Sequence, residues 1–174
     1  MLSLLSLWIA STDRLRRRGV VVFRKRVPEF SERALELFVS RARRAAGLQG
    51  MVDVLLTSSM EMKSLNRRFR GKDKPTDVLS FPATTVVQKR FAGEIVISAE
   101  IALQNARHLG HSAGEEVKIL VLHGLLHLRG YDHEQDHGTM ARRERQLRAR
   151  LGLPSGLIER TPSPSPRARR KQTR

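Results

Sequence analysis

Apolar positions recur along this chain with two periods, and each change of period marks the edge of an element. Residues 20–23 and 52–56 are short β-branched runs that predict strands. Between them Leu35, Phe38, Ala42 and Ala45 repeat at helical spacing, with Ser31 placed to cap, Phe30 to staple onto Leu35 and Gly47 to stop the helix. Arg41, Arg43 and Arg44 fill the remaining face and read as solvated. Ser58-x-x-Glu61 has the form of a capping box and opens a short helix through Leu65 and Phe69. Residues 77–81 predict a strand that Pro82 confines to a sheet edge or ends, and residues 95–98 a compact buried one. The loop between these two strands makes an antiparallel hairpin the simplest connection.

The second half is helical. Residues 98–109 predict a helix closed by Gly110, and Ser112-x-x-Glu115 is a second capping box. The segment that follows, residues 117–123, is apolar nearly all round, which predicts a helix running through the domain centre. Met140, Leu147 and Leu151 share one face and mark a final helix. Strands interleaved with helices predict an α/β (α+β) fold: a small mixed four-stranded sheet packed with about five helices around a buried central helix.

A chain of 174 residues suffices for one domain with a proper core. It carries 33 Lys and Arg against 17 Asp and Glu, a net charge of +16 and a pI of about 11.6. That balance predicts a polyanionic partner such as RNA, since phosphate contacts supply most non-specific nucleic-acid affinity. The alternative is a composition that favours arginine for no partner's sake. Absence of cysteine removes disulfides and thiolate ligands and suits a reducing cytosol. Residues 1–10 are apolar but follow no basic segment and are too short to span a bilayer, so no transmembrane segment is expected. The expected organisation is an extension over 1–18 outside the domain, a domain over 19–158 and a basic, disordered tail over 159–174.

Candidate chemistry centres on His123-Gly-Leu-Leu-His127-Leu-Arg-Gly130-Tyr-Asp132-His133. Side chains four apart on a helix sit one above the other, so His123 and His127 can aim at one point. Gly130 can end the helix in a left-handed turn and bring His133 back as a third donor. Three imidazoles and one vacant position describe a catalytic zinc site. An isolated histidine is more often a hydrogen-bonded core residue, but this spacing argues against three coincidences. His108, His111 and His137 lack the arrangement and read as surface or capping residues, with His137 a substitute third ligand. A zinc ion held at about 2.0–2.1 Å by imidazoles lowers the pKa of its water to about 7 and can polarise a phosphoryl oxygen.

The spacing is that of the zincin motif H-E-x-x-H-x-x-G-x-x-H, except that Gly124 stands where a peptidase keeps its general base. The cradle is kept and the proteolytic base is not. Asp132 can orient a ligand or cap the following helix. Thr76 and Ser80 can line a cleft from the edge strand, and Glu94 reads equally as a cleft acid or a strand-end cap. The segment 67–75 is a basic loop broken by Gly and Pro, and Arg70 within it is either a solvated charge or a bidentate phosphate clamp. With one Trp and one Tyr, stacking platforms are scarce, so charge and shape must hold a substrate.

The histidine run, together with Leu65-Asn66 to Arg70, Thr76-Asp77-Val-Leu-Ser-Phe81 and Gly93-Glu94-Ile95, resembles the YbeY family of bacterial zinc-dependent endoribonucleases, also called rRNA maturation factors. The resemblance spans about residues 20–153 and implies a zincin-like arrangement with one Zn2+ per chain on His123, His127 and His133. It implies that Arg70 is catalytic. It further implies single-strand-preferring cleavage of RNA in maturation of the small-subunit rRNA 3′ end and in ribosome quality control, in the cytoplasm. Implied partners are the ribosome, ribosomal proteins and an assembly GTPase. Two rivals remain: a zinc metallopeptidase with a displaced general base, and a non-catalytic ribosome assembly factor with structural zinc.

Overall fold

The computed structural model describes residues 19–83, 90–132 and 136–154. In chain order the elements are β1 (Val21–Phe23), α1 (Glu32–Ala46), β2 (Met51–Thr57), α2 (Ser59–Arg70), β3 (Val78–Pro82), β4 (Phe91–Ser98), α3 (Ala99–Leu109), α4 (Ala113–Leu128) and α5 (Thr139–Leu151). The sheet order is β1-β2-β4-β3. β1, β2 and β4 run parallel, and β3 pairs antiparallel with β4 at the edge, Ser80 opposite Ile95. The expected mixed four-stranded sheet and five helices are therefore present among the described residues. The expected extension over 1–18, the last residues of the expected domain and all of the tail expected over 159–174 fall outside them, and no described helix is long and apolar enough to cross a membrane.

Alternation along the strands assigns the helices to faces. Val54, Leu56, Ile95 and Ile97 point to the side covered by α1 and α4. Leu55, Val96 and Leu79 point to the other side, where Met62 and Leu65 of α2 cover them. Helix α4 is buried nearly all round through Val117, Leu120, Val121, Leu122, Leu125 and Leu126, as its unbroken apolar run predicts.

Caps explain most boundaries, with two departures from the sequence reading. Ser112 and Glu115 close a complete capping box at α4. At α2, Ser58 caps Glu61 N, but the Glu61 carboxylate turns away to Thr57 and Arg24, so that box is half formed. Arg43 and Arg41 are not simply solvated: Arg43 Nη1 donates to the carbonyls of Leu48 and Gly50 at 3.2 and 2.8 Å, and Arg41 Nη2 to that of Leu151 at 3.2 Å. These bonds tie the turn after α1 to its own helix and occupy the carbonyl of Leu151, one of those the end of α5 leaves without a partner. Phe30 packs its ring over Gly114 at the start of α4, where an added Cβ would lie 2.9 Å away.

Gly93 shows why the edge strand can sit where it does. Its φ of +147° suits only glycine, and a Cβ there would overlap the Phe81 carbonyl oxygen and lie 2.8 Å from Leu128 Cδ2. Gly93→Ala is expected to cost about 2–4 kcal/mol, from backbone strain and overpacking together. Urea denaturation measures this, and an unchanged midpoint would contradict the close approach of β3, β4 and α4.

Candidate metal centre on the central helix

The last two turns of α4 carry His123 and His127. Their ring centroids are 4.7 Å apart with planes at 72°, and their Nε2 atoms approach to 3.1 Å. Behind His123, its Nδ1 lies 2.9 Å from Oε2 of Glu144 on α5. Glu144 is buried, and Arg148, one turn on, grips its other oxygen through Nε at 2.9 Å and also through Nη2. Burial pushes the Glu144 carboxyl up, but the hydrogen bond from His123 and the Arg148 charge outweigh it and hold the group below the usual carboxylate range.

An ionised carboxylate only accepts, so Glu144 Oε2 is placed to take a hydrogen bond from Nδ1 and favours the tautomer that leaves the Nε2 lone pair free. Two imidazole nitrogens facing each other at 3.1 Å must share a proton or a cation between them. Two ligands on one tetrahedral zinc, each about 2.0–2.1 Å away, stand about 3.3 Å from each other. The pair therefore fits such an ion. His133 lies outside the described residues, and among those described no three His, Cys, Asp or Glu side chains are grouped to hold a metal. The chain does turn after α4 as the spacing predicts: Gly130 takes a φ of +95° and Tyr131 N donates to Leu126 O at 3.1 Å.

Gly124 faces the sheet. A Cβ there would meet Ile95 Cδ1 at 2.9 Å and Ser80 Oγ at 3.0 Å. Ser80 of β3 is thus set against the histidine helix. Thr76 stands before β3 and donates to the Asp77 carboxylate at 3.1 Å. Arg70 ends α2, exposed, on the side of the sheet away from α4. The structure therefore brings together His123 and His127, sets Ser80 against the same helix at Gly124, and places Arg70 at the end of the helix on the other face of the sheet.

Three readings of polar residues need correction. Asp132 does not cap α5, which begins at Thr139; Asp136 does, accepting from Gly138 N at 3.1 Å and Met140 N at 2.7 Å, and the Asp132 carbonyl accepts from Asp136 N. His111 is no surface or capping residue, because it sits 2.7 Å from the fully buried carboxylate of Glu116. Glu94 is buried on the α2 side, in line with Val96, and so is no acid of the α4 cleft. His108 and His137 are exposed. Glu144 and Arg148 were not singled out from the sequence. Their signal is faint: they interrupt the stripe of Met140, Leu147 and Leu151, which places both on the inner face of α5.

Residues 17–152 match the family model described as Endoribonuclease YbeY. The chain is 52% identical over 155 residues to the Endoribonuclease YbeY of Koribacter versatilis, covering 89% of this chain and 100% of that protein. It is 44% identical over 143 residues to the Endoribonuclease YbeY of Solibacter usitatus, covering 82% and 95% respectively. The solution structure of TM1509 from Thermotoga maritima is similar with a TM-score of 0.54 at 30% identity, over 76% of this chain and 88% of that one.

The packing at Gly124 also bears on a peptidase reading. Gly124→Glu, which restores the zincin sequence pattern, is expected to destabilise the fold by more than about 3 kcal/mol through overpacking and an unpaired buried carboxylate. No peptidase activity should appear. Thermal melting and a casein assay check both halves; a stable variant that cuts casein would show that position 124 opens onto the imidazoles.

Proposed function

This chain belongs to the YbeY family, and from that premise we propose that it is a single-strand-preferring, zinc-dependent endoribonuclease acting in rRNA maturation. The observation that carries the reading is the convergence of His123 and His127, Nε2 to Nε2 at 3.1 Å, with His123 anchored from behind. His123, His127 and His133 would hold the ion. When bound, zinc supplies a Lewis acid for a phosphoryl oxygen and lowers the pKa of water. No peptidase base is available at Gly124, which faces Ile95 and Ser80.

The chain's own residues do the rest. Arg70, permanently charged and forked, pairs with phosphate oxygens of the substrate and offsets the charge that grows on phosphorus during cleavage. Ser80, packed against α4 at Gly124, borders the site, with Thr76 further along the same edge and Asp132 beside the third ligand. The excess of Lys and Arg holds the RNA backbone without reading its sequence. On this reading the substrate is the 3′ end of small-subunit rRNA, with a role in ribosome quality control. Ribosomal proteins and an assembly GTPase are the partners, and the compartment is the cytoplasm.

Two measurements test it. Metal analysis of the purified protein should find one zinc per chain, and chelation should stop RNA cleavage. Arg70→Ala should keep the fold and the zinc yet lose about 100-fold or more in cleavage rate, the scale of removing one charge-stabilising donor. Parental cleavage by that variant would remove Arg70 from the mechanism. Full activity in demetallated protein would remove zinc, and a zinc-bound protein that never cuts RNA would leave a structural metal in an assembly factor.

A further inference from the structure

Glu144 and Arg148 sit one turn apart on the inner face of α5, in line with Met140, Leu147 and Leu151. Both are nearly inaccessible, at 5% and 6% exposure. A buried ion pair is a poor source of stability, because desolvating two charges costs about as much as their attraction returns. Apolar pairs of similar volume in its place are often neutral or better. The geometry shows what the pair achieves instead. Arg148 takes one carboxylate oxygen, Oε1, through both Nε and Nη2. The other oxygen, Oε2, is left to His123 Nδ1 at 2.9 Å. One end of the carboxylate is clamped and the other is presented.

We propose that Glu144, locked by Arg148, is a positioning residue that fixes His123 in its Nδ1–H tautomer and aims Nε2 at the point shared with His127. The inference rests on the reading of His123 as a zinc ligand. A histidine protonated on Nε2 has no lone pair to offer there, and a ring free to flip offers one only part of the time. An oriented carboxylate behind a ligand histidine removes both losses. Because α5 carries the carboxylate and α4 the imidazole, the contact also fixes how these helices sit at the site.

The test uses the full-length chain, the double variant Glu144→Leu/Arg148→Met and the single variant Glu144→Gln. In metal-free parent, NMR of the imidazole nitrogens should find His123 in the Nδ1–H form; a mixed tautomer there would overturn the proposal. The double variant should lose that preference and bind zinc 10- to 100-fold more weakly in chelator competition. Its metal-free melting temperature should equal or exceed the parent's, since the buried charges are gone. Zinc binding as tight as the parent's overturns the positioning role, as does a lowered melting temperature with unchanged affinity. If the double variant fails to fold, Glu144→Gln decides: weakened zinc binding on an intact fold sustains the proposal, and unchanged binding overturns it. A parent that holds the tautomer yet takes up no zinc sustains the positioning role and overturns the zinc reading.

Discussion

Helix α4 lies on the β4–β3 half of the sheet with no side chain between them at Gly124, so that Ile95 and Ser80 pack directly on helix backbone. This contact sets the height of the helix over the sheet, and with it the level at which both imidazoles stand. Gly93 makes the same kind of approach one turn further on, under Leu128. Two glycines on opposite partners thus bring α4 and the edge hairpin closer than ordinary side chains allow. Protein interiors are packed densely enough that such a fit leaves little play. On the zinc reading proposed for this helix, a metal held there would inherit its rigidity from the core rather than from a loop.

Buried acids reinforce that placement at both ends of α4. Near its start, Glu116 accepts from Asn105 Nδ2 at 3.2 Å and meets His111 at 2.7 Å, which ties α3 and the turn after it to the helix. Near its end, Glu144 does the corresponding work from α5. Glu94 is buried as well. Several of the chain's few acids are therefore spent inside, and the outer surface is more basic than a count of residues suggests.

Local signals made the elements legible. Ser31, Ser58 and Ser112 each cap the helix they precede, and β-branched runs became strands, because capping and alternation depend on neighbours a few residues away. The His123–His127 pair was legible for the same reason: four residues on a helix is a fixed geometry. What sequence could not supply were partners fixed by tertiary packing. Glu144 meets His123 across 21 positions of chain, and nothing in its neighbourhood distinguishes it from a solvated glutamate. Asp132 and Asp136 both precede the last helix, and it is Asp136 that takes the cap. Glu61 found Thr57 and Arg24 before it could close its box.

The sheet separates α4 from α2, and this has a geometric consequence for whatever binds. The helix that ends in Arg70 and the helix that carries the imidazoles lie on opposite sides of a layer whose edge strand is β3. On the reading proposed for Arg70, a ligand held by both has to pass over that rim, so what fits is a chain that wraps an edge rather than a group lying on one face.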